Sequence, residues 1–535
     1  MSKVISGLIV TVTLVCASAL LSACGGGGGG GRKHPSPTAT VTSGPVTRMV
    51  VNGTAVHAKV TLKLSFTPAG SFSVQVSSSP ATPFDRSVSV VQSGSGVYTL
   101  DLVTSTAATA GRYAGNATLN LCADAACSKA QAVSSVTVPF TIDVLNPGDA
   151  WPGDHLVLLS AWSGAPDWAT FQGNAAHTGF VPVDISPDAI TTRWQIAGTQ
   201  IISPWVGYPQ TLTTSEGRLF LSGQQTIYAR REHDASLIWQ YDFSDLAWPS
   251  ANPPAVSGGT VYVAAGQQNS TYMYAFDAAG GSLIFKSPMS SQWEHYLAPT
   301  VGPAGVYTNA GTYGGLYAFA TTGNQLFFSP LAQTSMWTPA VDSNAVYVYT
   351  GGRLQVLDPV TGAEQVSITD PTFENYIYEI DGSPVLGAPG SVIVANYANS
   401  FLNGGGFGNT LTAFDVNGGK IAWQVAGSFP TTPAYHAGHI YVANQSPLRL
   451  EARAETNGSL EWNWVPPASG DTGFRSDVLL TNNLVFVSTN LSTYVLDLVS
   501  HQIVWSYPES GRLALSKNGV LYIQNGTHIS AFNLK

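Results

Sequence analysis

The chain has 535 residues and a formal net charge of −9, and only 10% of its residues are charged, against roughly one quarter in ordinary soluble domains. An acidic chain without a basic stripe is a poor partner for nucleic acid, and its length allows more than one core. The 55 glycines and 10% aromatic residues point to many turns between short strands, hence to an all-β protein.

Taken in order, residues 1–24 read as an export signal. Lys3 gives a positive start, Val4 to Val15 is almost wholly apolar or small, and Leu21-Ser-Ala-Cys24 follows. The apolar run is too short to span a bilayer as a helix. Its ending resembles a bacterial lipobox, which implies that Cys24 becomes the lipid-modified first residue of the mature protein. Gly25 stands where inner-membrane lipoproteins carry a retention Asp, so the resemblance implies an outer-membrane anchor in the bacterial cell envelope. Residues 25–45, rich in Gly, Pro, Ser and Thr, read as a flexible tether. The glycine run Gly25 to Gly31 has neither the strand nor the helix that a phosphate-binding loop requires.

Over 46–146 apolar residues alternate at period two in about seven runs, among them Val56-His-Ala-Lys-Val-Thr-Leu-Lys-Leu and Val97-Tyr-Thr-Leu-Asp-Leu. That pattern predicts an immunoglobulin-like β-sandwich, and Gly111-Arg-Tyr-Ala-Gly115 resembles the late strands of bacterial Ig-like modules. Cys122 and Cys127 are the only cysteines beyond the signal segment. Their spacing suits a disulfide across a tight hairpin in an oxidising compartment, worth roughly 2 kcal/mol by loop entropy. The alternative, a metal or redox pair, has no third ligand nearby in the sequence.

Residues 147–190 read as a linker and lead-in containing Asp167-Trp-Ala-Thr-Phe171-Gln-Gly-Asn174-Ala-Ala-His177-Thr-Gly-Phe180. From 191 to 535 the chain repeats. The frame Ala275-Phe-Asp-Ala-Ala-Gly-Gly-Ser-Leu-Ile-Phe285 returns at Ala229–Trp239, Val356–Val366, Ala413–Trp423, Ala452–Trp462 and Val495–Trp505, with its end residues always ten apart. Ala318–Phe327 is one residue shorter, and an eighth copy begins at Ala531-Phe532. Such a period predicts an eight-bladed β-propeller. Inner strands are expected after Pro209, Pro254, Pro299, Pro339, Pro384, Pro433 and Asp477, since Pro is tolerated where a strand begins. The eighth copy lacks its outer strand; Thr191–Ala197, which contains Trp194, is expected to supply it and close the ring.

The lead-in motif and the repeated frame together resemble the PQQ-type, quinoprotein-like propeller family. That family includes quinone-dependent dehydrogenases and non-catalytic, BamB-like envelope lipoproteins. The dehydrogenase alternative implies PQQ with calcium, under adjacent cysteines that form a disulfide. This propeller contains no cysteine, so the expectation is a non-catalytic scaffold without cofactor or metal. His436 and His439 have metal-like spacing but flank a turn. Glu294-His295 could be an acid–base pair only in a loop, because neighbours on one strand point apart.

Up-and-down connectivity places the loops entering the inner strands and those joining second to third strands on one face. Trp205, Trp248, Trp293, Glu294, His295, Trp337, Tyr376, Tyr378, Glu379 and Arg475 would lie there. Aromatic rings in exposed loops mark recognition surfaces. The expected ligand is an envelope protein or, alternatively, a glycan or other small molecule, with the membrane reached through the N-terminal lipid.

Overall fold

The computed structural model describes residues 36–77, 82–146, 156–197, 212–223, 225–246, 250–267, 270–292, 296–373, 379–396 and 409–535. The expected export signal, residues 1–24 with Cys24, lies outside them. Apart from two 3-10 turns at Phe171–Gly173 and Pro187–Ala189, the described regular structure is β.

The N-terminal module is one eight-stranded sheet. One half runs Ala39–Val41, His57–Leu64, Val97–Val103, Ser87–Gly94; the other runs Ser73–Val76, Gly111–Cys122, Ala130–Leu145, Val46–Val51. The halves meet at the Val74–Val88 pairing, and their inward residues fill one core. Strand His57–Leu64 shows why: Ala58, Val60 and Leu62 are fully buried while Lys59 and Lys63 face water, the period-two alternation of a half-buried strand. Two expectations change. The tether does not extend to residue 45, because Ala39–Val41 pairs with Leu62–Leu64 as an edge strand. There are also eight strands rather than seven, the first of them being this edge. Cys122 and Cys127 form the expected disulfide, with Cα atoms 4.9 Å apart. Asp124 organises the turn between them by accepting the Ser128 and Lys129 backbone N–H groups; these bonds hold its carboxyl below the usual range.

The described residues from 191 onward form eight blades. Inner strands start at Ala255, Thr300, Ala340, Val385 and Ala434, each directly after its proline, and at Leu479 after Asp477. Pro209 lies outside the described residues. Each frame is a cross-strand pair: Ala229 faces Trp239, Ala275 faces Phe285, Ala413 faces Trp423 and Val495 faces Trp505. The register shifts immediately after the first member every time. The repeated spacing of ten is therefore a repeated β-bulge that turns the outer strand over its blade.

The ring closes as expected. Thr191–Ala197 pairs antiparallel with His528–Asn533 and places Trp194 opposite Ala531, where the eighth frame lacked its aromatic residue. The closing strand is locked by Arg193, whose guanidinium donates to the carbonyls of Glu232, Val157 and His233 and to Asn533 Oδ1.

Where a frame ends in an aromatic residue, that ring packs at the seam to the next blade. Trp194, Trp239 and Trp423 donate their indole N–H to the carbonyls of Glu232, Ala278 and Glu455, the same frame position in the following blade. Their rings cover the next blade's turn. A Cβ on Gly281 would come within 2.6 Å of Trp239, one on Gly323 within 2.6 Å of Phe285, and one on Gly458 within 2.6 Å of Trp423. These glycines also sit at φ +75°, +94° and +70°. Conformation and space thus both demand glycine there.

The sandwich docks on blade 7. The outer strand Ile503–Tyr507 is buried along its whole length, whereas the equivalent Leu460–Trp464 of blade 6 is largely open to solvent. Val46–Val51 packs beside it, Arg48 pairs with Asp188, and the Val51 N–H reaches Ser506 Oγ at 3.4 Å.

Candidate functional site

The lead-in motif is a structural plug rather than a linker. Its carbonyls meet the inner strands in turn around the ring. Trp168 accepts from Thr214 N–H and Ala169 from Val256 N–H, followed by Ala175 from Val341, Ala176 from Leu386, Thr178 from Tyr435 and Gly179 from Leu480. Thr170 Oγ1 donates to the Pro299 carbonyl. Gln172, at φ +50°, turns its amide onto the carbonyls of Pro433 and Val478. One segment therefore supplies acceptors that the short inner strands cannot supply to each other.

His177 is fully buried within this plug. Its Nδ1 lies 3.0 Å from the Pro384 carbonyl and its Nε2 lies 3.2 Å from Thr300 Oγ1. A carbonyl only accepts, so Nδ1 carries the proton. Burial pushes its pKa down to about 4, against the opposing pull of the Pro384 carbonyl, and the ring is neutral at physiological pH. Phe171 meets it edge-on, 5.3 Å between ring centres. A planar quinone on the axis at this level would have to displace Phe171 and His177. The described axis does not fit that cofactor.

The upper face, meaning the side that carries the two loop sets described above, is only partly within the described residues. Trp205, Trp248, Trp293, Glu294, His295, Tyr376 and Tyr378 lie outside them. Glu379 is placed by its backbone: Glu379–Gly382 pairs in parallel with Ser335–Trp337, joining the loops that enter blades 4 and 5. Trp337 corrects the expectation. It is 2% exposed and belongs to the core between blades 3 and 4 with Tyr307, Leu316 and Val341. The Thr334 carbonyl, three residues upstream, accepts its indole N–H, so the ring turns inward with its polar edge satisfied. Arg475 is exposed in the loop entering blade 7, three blades from Trp337, and the two do not share a site. His436 and His439 do not converge either: His436 stacks on Phe180, while His439 pairs with Glu461.

A small cleft of about 10 Å³ on this face is lined by described residues, namely Tyr296, Asn309, Ala310, Gly311, Gly314, Gln333 and Thr334; roughly one water fits such a volume. Three loops build it: the one entering blade 3, the one joining its second and third strands, and the one entering blade 4. Tyr296 is fixed by its N–H to Asn252 Oδ1 at 2.9 Å and by its hydroxyl on Ser291. Gln333 donates to Gln292 Oε1 at 2.9 Å. Asn309, just before the loop, gave no sequence signal, because a single Asn at a strand end usually reads as turn chemistry.

A family model described as outer membrane protein assembly factor BamB matches residues 223–464 and 406–533, together more than half of the chain. The chain belongs to the BamB family. Among solved structures, BamB from Moraxella catarrhalis superposes with a TM-score of 0.50 at 16% identity, covering 64% of this chain and 99% of that one. The Dos1 propeller reaches 0.47 at 10% identity over 65% of this chain and 96% of its own. The Pan2 WD40 domain of Neurospora crassa reaches 0.39 at 12% identity, over 66% and 98%. At these identities the likeness to the solved structures is one of fold. No curated protein matches the chain significantly. The BamB-family match begins within blade 1 and runs to residue 533, and the N-terminal sandwich lies outside it.

Proposed function

We propose that this chain is a non-catalytic lipoprotein of the bacterial cell envelope, anchored at the outer membrane through Cys24. Its propeller serves as a scaffold whose upper face holds a protein partner. The observation that carries the reading is membership of a family described as outer-membrane protein assembly factors. Leu21-Ser-Ala-Cys24 supports the anchor. A ring braced by its own axial plug supports scaffolding, because a partner meets a surface whose ordering cost is already met.

Crosslinking in intact envelopes, followed by capture of the chain, is the direct test. Recovery of a defined outer-membrane or periplasmic protein is expected, and Cys24→Ala should leave the chain unprocessed or outside the membrane fraction. Normal fractionation of Cys24→Ala would overturn the anchor. Turnover of alcohols or sugars by the purified chain supplied with PQQ and calcium would overturn the non-catalytic reading.

A further inference from the structure

Six seams of the ring are covered alike, and one is not. Trp239, Phe285, Phe327 and Trp423 lie over Gly281, Gly323, Gly362 and Gly458 of the following blade, where an added Cβ would come within 2.6 Å of the ring. Trp462 stacks on His501 with ring centres 4.4 Å apart, and Trp194 packs in one cluster with the buried Ala235. All six of these covered residues hold the same place in the frame turn. At the seam from blade 4 to blade 5 the frame ends in Val366, opposite Val356. The covered position there is Gly419, which is exposed; a Cβ on it would meet nothing within 4 Å.

The turn carbonyl at this seam differs as well. The Tyr307 hydroxyl donates to the Pro359 carbonyl, just as three indoles donate to those of Glu232, Ala278 and Glu455. Val416 holds that position in blade 5, and among the described residues no side chain of blade 4 donates to its carbonyl. Tyr347, which stands in blade 4 where Tyr307 stands in blade 3, gives its hydroxyl to Asp342 of its own blade instead. Val366 and Val416 are left half-buried at the margin of the core shared by blades 4 and 5. The turn that holds Gly419 joins third to fourth strand, so this apolar step opens on the face opposite the aromatic loops. The turns and strand starts of blades 4 and 5 on that side carry Asp342, Asp358, Glu364 and Asp415 against Lys420.

We infer that this step is a docking slot for a tryptophan of a protein partner, flanked in the partner by Lys or Arg. The indole covers Gly419 and donates to the Val416 carbonyl, as the ring's own tryptophans do at the seams to blades 1, 2 and 6. A buried indole needs that acceptor, and a tryptophan in a preformed apolar site is the kind of anchor that dominates an interface. Basic neighbours answer the acidic rim and steer the encounter. The slot lies on the face opposite the one assigned to the scaffold partner and does not rest on that reading.

The test uses the full chain with a blocked Lys-Trp-Lys tripeptide and N-acetyltryptophanamide as probes, and blocked Lys-Leu-Lys as the control. Both indole probes should bind with millimolar dissociation constants in ligand-observed NMR, the tripeptide more tightly and with an affinity that falls as salt is raised. Their indole protons should show contacts to the methyl groups of Val366 and Val416. Val366→Trp gives the seam its own ring: it should raise the melting temperature and weaken both probes roughly tenfold or more, the loss expected when an anchor site is blocked. Val366→Phe, which copies the seams closed by Phe285 and Phe327, keeps the test decisive should the first variant fail to fold. No binding of either indole probe, or unchanged binding in the filled variants, would overturn the inference. Equal binding of Lys-Leu-Lys would also overturn it, since the site would then be merely apolar.

Discussion

At the residue scale, the turn glycines separate two demands that sequence alone merges. Gly281 and Gly419 occupy equivalent positions at φ +75° and +63°, but only Gly281 lies under a tryptophan; a Cβ on Gly419 would have nothing within 4 Å. Gly419→Ala should therefore cost only the left-handed conformation, about 1–2 kcal/mol. Gly281→Ala should add overpacking of about 1–3 kcal/mol, and chemical denaturation of the two variants would measure the difference. Trp337→Ala should lose about 3–5 kcal/mol as a buried aromatic; an unchanged unfolding midpoint would return Trp337 to the surface. His177 gives a pH signature. Its native pKa of about 4 lies below the unfolded value of about 6.5, so the unfolded chain binds the proton first. Its contribution is complete above pH 6.5 and is lost as pH falls toward 4, by at most about 3 kcal/mol. His177→Gln should flatten the fall in melting temperature over that window relative to the parent.

At the element scale, the closing strand and the axial plug hold together pieces that are distant in sequence. Deleting 191–197 removes the pairing with His528–Asn533 and exposes an edge strand together with the seam to blade 1. Aggregation and loss of a cooperative melt are expected, whereas deletion of 1–35 should leave the described fold unchanged. A soluble, cooperatively melting ring without 191–197 would show that closure is dispensable. The plug gives the lead-in motif a physical role: the Trp168 carbonyl, the Gln172 amide and the His177 ring all bond to the inner strands. In the sequence they could be read only as a resemblance, since their partners lie up to 306 residues away.

At the scale of the whole molecule, the sandwich and the ring form a continuous apolar contact. The core of the sandwich and that of blades 6 and 7 belong to one cluster. The fully buried Trp505 marks blade 7 as the covered blade. Val504→Asp should place a charge in this contact and separate the modules, raising the radius of gyration in small-angle scattering while each module keeps its β spectrum. An unchanged radius would mean that the outer strand of blade 7 tolerates exposure as that of blade 6 does.

The sequence by itself determined the number of blades, the starts of six inner strands and the identity of the closing strand. The first two rest on local rules, namely period-two alternation, proline at strand starts and a bulged hairpin whose paired end residues are nine or ten apart, each written in neighbouring residues. It also paired Cys122 with Cys127, because five positions along a hairpin leave little choice. The role of 168–181 and the inward turn of Trp337 were decided only by the tertiary structure. Burial is a property of the assembled ring: whether a loop tryptophan faces water depends on a neighbouring blade that approaches only after folding. The cover over blade 7 has the same origin, since its frame reads like every other until the sandwich packs against it.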